Sequence, residues 1–172
     1  MKTTPKLIAL AFCILLFTVA HVQTAQAGDI VETSIDGTFN GWKGETIWKM
    51  DNGDIWQQSS YDYFYSYSYH PKVLIYRDGG NWKMKVHGEN REISVKKLDG
   101  GDIVETCIDG NFDGWKGETI WKMDNGDIWQ QSSLGIHLHL AIHPKVLIYR
   151  TSTGWKMKVD GDDEDVAVKK LK

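Results

Sequence analysis

Cysteine is scarce in this chain of 172 residues, which has only Cys13 and Cys107. Cys13 lies in an N-terminal apolar segment described below, so the rest of the chain holds one thiol. A single thiol cannot close a disulfide within the chain, and stability must therefore come from packing. Because Ser34 stands 73 residues before Cys107 in a repeated motif, we expect Cys107 to be a small buried side chain rather than a reactive thiol.

An excess of positive charge is also missing. The chain has 20 Lys and Arg residues against 23 Asp and Glu, and a formal net charge of −3. Sequence-independent binding of nucleic acid depends on neutralising phosphates with Lys and Arg. We therefore expect no nucleic-acid partner.

Long apolar runs are absent except for one, Leu7 to Ala20, which is shorter than the ~20 residues of a comfortable membrane span. Lys2 and Lys6 precede this run, and Ala25-Gln26-Ala27 supplies a small-x-small cleavage signature. This order predicts a signal peptide over residues 1–27 and a periplasmic or secreted protein with no membrane span in its mature form. Removal of two lysines leaves 18 basic and 23 acidic residues, a formal charge of −5.

Enzyme signatures are lacking too. The sequence has no Gly-x-Ser-x-Gly, phosphate loop, zinc-protease helix or nucleotide fingerprint, and we assign no catalytic residues. Lone carboxylates in turn sequences usually form turns or solvated caps, and the acidic run Asp162 to Asp165 is interpreted as a solvated loop. The sequence favours a protein that is not an enzyme, and an extracytoplasmic hydrolase using paired carboxylates ranks last among the alternatives.

What the sequence does contain is an internal duplication. Residues 28–98 align without a gap onto residues 101–171, at a constant offset of 73 and with 48 identities in 71 pairs. We expect two β-barrel repeats, 28–98 and 101–172, separated only by Asp99 and Gly100. So short a tether predicts that the two repeats lie in contact or in a fixed orientation.

Each repeat shows the pattern of an all-β fold, because apolar residues alternate and turn residues interrupt them at short intervals. In the first repeat the hairpin about Asn52-Gly53 is the clearest example. Several short strands in about 70 residues favour a small SH3-like barrel, with an OB-like barrel as the alternative. The expected strands are 30–35, 46–50, 54–58, 61–69, 72–77, 82–86 and 93–97.

Tryptophan is abundant, with four at matching places in each repeat. Some must fill the core of so small a domain, since one indole buries on the order of 200 Å². Trp42 and Trp115 lie in glycine-bounded loops, and they are the candidates for exposed, ligand-binding aromatic side chains. The alternative is that each plugs the end of its barrel.

The two repeats differ most at residues 61–70 and 134–143, where nine of ten positions are different. Both segments alternate with period two, so the large side chains of each share one face, and we expect that face to pack against apolar material. If the tyrosines instead face outward, they form a ladder that can stack on sugar rings or a peptide. The large side chains are Tyr61, Tyr63, Tyr65, Tyr67 and Tyr69 in the first repeat and Leu134, Ile136, Leu138, Leu140 and Ile142 in the second.

The opposite phase of the second segment holds three histidines. His137 and His139 are two apart on one strand face, about 7 Å from each other, which suits a shared Zn or Cu ion. His143 can join them only if the chain turns before Pro144, and a carboxylate or His70 of the other repeat would have to complete the site. The alternative is an ordinary exposed polar face.

The pattern IDGxFxGWxGxTIxKxxNGxIWQQ, followed by PKVxIY and a closing VKKL, resembles an uncharacterised family of small bacterial β-domains. The resemblance covers both repeats almost end to end. It implies a small β-domain and brings no activity, cofactor or site residue. In those relatives the strand before Pro-Lys-Val resembles alternating Tyr and His, whereas here one repeat has the tyrosines and the other the histidines.

The sequence thus predicts an exported, non-enzymatic binding module whose ligand, a protein, a peptide or a glycan, contacts residues 61–70 and 134–143. The reason is that the differences between two near-identical repeats concentrate in one segment, as expected if the scaffold stayed and a recognition face changed. A transition-metal site on the His-x-His strand of the second repeat is the alternative.

Overall fold

The computed structural model describes residues 30–172, so the predicted signal peptide lies outside the described residues. Within them the chain is all-β, as predicted: it has no α-helix, and its one helical element is a 3₁₀ turn at Gly100–Asp102. Accordingly, residues 30–172 contain no helix with the length and apolar character needed to cross a membrane.

The first repeat contains eight strands. Six of them agree with the expected strands to within about two residues, the segment that precedes Pro71 differs, and Thr38–Phe39 was not expected. The strands are β1 (Ile30–Ser34), β2 (Thr38–Phe39), β3 (Ile47–Lys49), β4 (Ile55–Gln58), β5 (Ser68–Tyr69), β6 (Lys72–Asp78), β7 (Asn81–Val86) and β8 (Glu92–Leu98).

The second repeat contains the same eight strands in the same order, with longer counterparts of β2 and β5. They are β9 (Ile103–Cys107), β10 (Asn111–Lys116), β11 (Ile120–Lys122), β12 (Ile128–Gln131), β13 (Ile136–Ile142), β14 (Lys145–Thr151), β15 (Gly154–Val159) and β16 (Asp165–Lys170).

Six strands of each repeat form one antiparallel sheet, in the order β1-β6-β7-β8-β4-β3 and its equivalent β9-β14-β15-β16-β12-β11. The sheet curls into a half-barrel, and its two edges meet at one bridge, Ile35 to Met50 in the first repeat and Ile108 to Met123 in the second. Curling leaves little of the sheet edge free to pair with other chains.

The remaining two strands of each repeat form a separate ribbon, β2 with β5 and β10 with β13. The expected strand over 61–69 is wrong for most of its length, because only Ser68–Tyr69 is a strand. Its partner β2 is only two residues long. After β2, Trp42 and Phe64 form an isolated β-bridge, in which each backbone amide donates to the other residue's carbonyl. In the second repeat β10 has six residues, so β13 pairs along its length.

Each half-barrel encloses its own apolar core, and the two cores are built from equivalent residues. In the first repeat three indoles, Phe39, two methionines and the branched side chains of β6 to β8 fill the interior. The second core repeats this set. The fully buried aromatic residues are Phe39, Trp42, Trp56, Phe112, Trp115, Trp129 and Tyr149.

A third apolar cluster joins the two repeats. Ile47, Ile55 and Leu98 of the first repeat pack with Tyr149 of the second, and Ile103 and Leu147 lie against them. The four core members are at most 5% exposed. The repeats are therefore in contact, as the short tether suggested.

Candidate functional site

The five tyrosines of residues 61–69 lie on the protein surface, with exposed fractions between 67% and 92%. The alternate residues point the other way and are half-buried, except exposed His70. Phe64, one of these, packs its ring on Trp42 with 4.7 Å between ring centroids. The tyrosines form a ladder, and the rise of a fully extended strand, 3.3 Å per residue, sets an upper limit of about 26 Å on its length.

The second repeat presents an aliphatic ladder in the same place. Its five Leu and Ile side chains, from Leu134 to Ile142, are 74% to 91% exposed. On the opposite side of β13, His139 packs on Phe112, with 6.0 Å between ring centroids. We call the two sets the tyrosine ladder and the aliphatic ladder.

The expectation that the large phase packs against apolar material is therefore wrong for both repeats. The reason is that Trp, Phe and Met side chains already fill the interior of each half-barrel. The ribbon therefore covers one end of the core with the alternate residues, whose side chains are smaller or carry a ring. The alternative, tyrosines facing outward, is the one that the structure has.

The prediction that Trp42 and Trp115 are exposed is also wrong. Both are buried, at 1% and 0% exposure, since each indole closes the end of its half-barrel under the ribbon. Trp42 Nε1 donates a hydrogen bond to Asp62 Oδ2 at 3.1 Å. The exposed aromatic surface belongs to the tyrosines alone.

The polar support under the tyrosine ladder is specific to the first repeat. Asp62 also accepts a hydrogen bond from Arg91 at 2.6 Å. The indole hydrogen bond and the Arg91 guanidinium outweigh partial burial, and they lower the pKa of Asp62. In the second repeat Gly135 replaces Asp62, and Trp115 Nε1 is buried without a partner among residues 30–172.

A groove of about 550 Å³ lies between the tyrosine ladder and a loop of the second repeat. Tyr63 and Tyr65 line one wall, and the acidic run between β15 and β16 lines the other. Six carboxylates and two lysines line this groove: Asp36, Asp160, Asp162, Asp163, Glu164 and Asp165, with Lys43 and Lys158. It is therefore strongly acidic.

The acidic run is only in part the solvated loop that the sequence predicted, because Asp163 and Glu164 are exposed but Asp162 is buried. Asp162 is 4% exposed, its Oδ1 accepts the Glu164 backbone amide at 3.0 Å, and its Oδ2 has no partner among the described residues. Burial alone raises the pKa of Asp165, but the Lys156 charge and the Tyr149 hydroxyl together lower it below its ordinary value. A buried carboxylate oxygen without a protein partner gains a hydrogen bond from any donor that reaches it, from water or from a ligand.

The three histidines of the second repeat do not converge. His137 Nε2 lies 3.4 Å from Asp162 Oδ1, and His139 lies beside Gly161. His143 adopts a left-handed backbone conformation, with φ of 49°, and its Nε2 lies 2.8 Å from Asp124 Oδ2. The turn before Pro144 therefore carries His143 away from His137 and His139.

His143 instead meets a thiol and a carboxylate. Cys107, Asp124 and His143 each place one possible ligand atom within 4.8 Å of the others, although they come from a strand end, a turn and a second turn. Cys107 is half-buried rather than buried. The first repeat has the same arrangement with a hydroxyl, Ser34, beside a His70–Asp51 pair at 2.9 Å. The sequence signal of this cluster is the His-Pro dipeptide of each repeat, which places a turn at the histidine.

Comparison with known proteins gives no assignment. No family model, no curated protein and no solved structure matches this chain.

Proposed function

We propose that the protein is an exported, non-enzymatic binding module and that the tyrosine ladder with its acidic groove is its principal ligand surface. One observation carries the proposal: the large side chains of residues 61–69 are on the surface, although each half-barrel core is complete without them. Contiguous exposed apolar surface on a protein marks a binding site more often than chance.

The chemistry of the groove favours an extended peptide that carries Lys or Arg. Tyrosine rings supply faces for cation–π contacts, and the acidic wall attracts positive charge. The ladder's length, at most about 26 Å, matches up to roughly eight residues of extended chain. A peptide lying along it places alternate side chains toward the rings.

The test is fluorescence anisotropy with two labelled octapeptides, one alternating Lys and Ser and one alternating Glu and Ser, on the chain that starts at Gly28. We expect the lysine peptide to bind and Tyr63→Ser or Tyr65→Ser to weaken binding by about tenfold, the effect of losing one central aromatic contact. Tyr69→Ser is the matched control, because Tyr69 belongs to the same ladder but does not line the groove.

Equal binding of both peptides, or equal effects of Tyr63→Ser and Tyr69→Ser, would contradict the role of the acidic groove. A parallel titration with soluble chitosan and cellulose oligomers distinguishes the ligand class. If a glycan bound in a tyrosine-dependent way and the lysine peptide did not bind, the tyrosine ladder would still be the ligand surface, but its ligand would be a carbohydrate.

Metal binding is a second candidate function, supported by the Cys107, Asp124 and His143 cluster. Thiolate, imidazole and carboxylate are the ligand types of Zn²⁺, and tetrahedral ligand atoms lie about 3.5 Å apart. A contraction of about 1 Å would bring these side chains to that spacing and leave the fourth position to water. This set replaces the expected trio of His137, His139 and His143.

Equilibrium dialysis against Zn²⁺, and separately Cu²⁺, tests the metal site by counting bound ions per chain. We expect one Zn²⁺ on the wild type, none on Cys107→Ser, and two on Ser34→Cys, which completes the equivalent set in the first repeat. His137→Ala and His139→Ala are the controls, and we expect both to retain the ion. If Cys107→Ser kept the bound ion and the His137→Ala and His139→Ala variants lost it, the metal site would lie on the His-x-His strand instead.

A further inference from the structure

The contact between the two repeats joins two different faces. The first repeat contributes Ile47, Ile55 and Leu98, which we call the front face. The second repeat contributes Ile103, Leu147 and Tyr149, which we call the back face. A front face therefore packs on a back face, and the contact is heterologous.

Because the chain is duplicated, each repeat carries both faces. The second repeat has a front face of Ile120, Ile128 and Leu171, and the first has a back face of Ile30, Leu74 and Tyr76. All six residues are identical to their counterparts in the contact. These two copies are uncovered: Ile120 is 55%, Leu171 48%, Ile30 52% and Leu74 37% exposed.

The polar contacts around the apolar cluster are duplicated as well. Glu45 Oε1 accepts the Ser152 backbone amide at 2.7 Å, and Gln57 Nε2 donates to the Arg150 carbonyl at 3.1 Å. Their counterparts Glu118 and Gln130 stand on the free front face. On the free back face, Arg77 is the counterpart of Arg150 and supplies the carbonyl acceptor. The turn that holds the Ser152 amide differs there, because Gly79 and Gly80 replace Ser152 and Thr153 with φ of 56° and 89°.

One ion pair differs between the covered and the free front face. Lys49 pairs with Glu105 across the contact. Its counterpart Lys122 pairs within its own repeat, with Asp109 at 2.7 Å. The partner that Lys122 would meet on a back face is Glu32, the counterpart of Glu105, and it is present.

We propose that a second copy of this chain docks its free back face on the free front face of the first, reproducing the contact between the repeats. Each addition leaves one front and one back face uncovered, so the assembly grows head to tail into an open fibre or closes into a ring. The occupant is a copy of the chain because the six apolar residues that form an existing interface recur unchanged at the two ends.

The contact within the chain is favoured by the tether, which holds the two faces at an effective concentration in the millimolar range. The contact between chains has no tether. Assembly should therefore depend on concentration. Sedimentation velocity on the chain that starts at Gly28, from about 10 µM to about 1 mM, should show species larger than a dimer that grow with concentration.

Two single variants test which faces are used. Ile120→Asp blocks the free front face and Leu74→Asp blocks the free back face, and both residues are exposed in the single chain, so folding should be retained. Each variant alone should remain monomeric. Mixed in equal amounts, they should form 1:1 dimers and stop, because each supplies the one face that the other lacks.

Leu138→Asp is the control, since it places the same charge on the aliphatic ladder, at a position more exposed than Ile120 or Leu74 and away from both faces. It should assemble like the wild type. A wild type that stays monomeric throughout, an Ile120→Asp variant that assembles normally, or a Leu138→Asp variant that does not assemble would each overturn the proposal.

Discussion

At the scale of single residues, two glycines decide how closely the ribbons approach the half-barrels. Gly41 and Gly114 have φ of 80° and 93°, and each precedes the buried indole of its repeat. A Cβ on Gly114 would lie 2.1 Å from the His137 carbonyl oxygen, and one on Gly41 1.9 Å from that of Phe64. No side chain fits there without moving the ribbon backbone.

Gly114→Ala should therefore destabilise the protein by more than about 2 kcal/mol, since a strained φ adds to a backbone clash. Gly126→Ala is the matched control: its φ of 87° is equally unfavourable, but an added Cβ meets nothing within 4 Å. We expect that control to cost about 1 kcal/mol. Urea unfolding followed by tryptophan fluorescence compares them, and equal costs would contradict the close approach.

Tyr149 offers a second residue-scale prediction, which depends on pH. Its hydroxyl donates to Asp165 at 2.7 Å, and burial raises the pKa of Tyr149. Tyr149→Phe should cost roughly 1–3 kcal/mol at neutral pH, the range for a hydrogen bond to a buried charge. Tyr76→Phe removes the equivalent hydroxyl, beside Glu92, from a half-buried position and should cost less than half as much.

The direction of this pH dependence follows from the lowered pKa of Asp165. A group whose pKa falls on folding stabilises the protein above its unfolded value, here 3.8, and loses that contribution as pH falls through the folded value. The stability difference between Tyr149→Phe and the wild type should therefore shrink below pH 3.8. A constant difference down to pH 2 would argue against the carboxylate as the partner.

At the scale of elements, the two ladder segments combine a phase of smaller or ring-bearing side chains, most of them half-buried, with an exposed phase of large side chains. This arrangement reverses the usual rule that the larger apolar set of a half-buried strand faces the core. It is possible because β13 and the residues before β6 belong to a two-stranded ribbon whose outer face has no sheet above it among the described residues.

Leu138→Ala should consequently change the free energy of unfolding by less than about 0.5 kcal/mol, as for a surface substitution. Ile148→Ala in β14, where Ile148 is 0% exposed, should cost about 2–5 kcal/mol. Urea unfolding measures both. If Leu138→Ala were as costly as Ile148→Ala, the aliphatic ladder would have to be buried.

At the scale of the whole molecule, the repeats are chemically alike but differ in what they bury. Leu98 is 5% exposed in the contact between the repeats, whereas Leu171, its counterpart, is 48% exposed. Head-to-tail assembly would also place many copies of both ladders on one particle, and such arrays raise avidity without any new contact.

Leu98→Ala should therefore destabilise the protein by about 2 kcal/mol or more, and Leu171→Ala by less than about 1 kcal/mol, when unfolding is measured at low protein concentration. In the assembly assay the order should be reversed, because Leu171→Ala weakens association between chains more than Leu98→Ala does. Equal destabilisation by the two changes would mean that the repeats do not pack as described.

The sequence alone determined the all-β fold and the positions of the strands of the six-stranded sheets, because alternation and turn dipeptides such as Asn52-Gly53 act over a few residues. A period of two defines two faces of residues 61–69 but cannot say which faces inward, since that depends on whether other strands already fill the core. For the same reason the burial of Trp42 and the meeting of Cys107 with Asp124 and His143 were decided only by tertiary structure, where chain segments far apart in sequence are brought together.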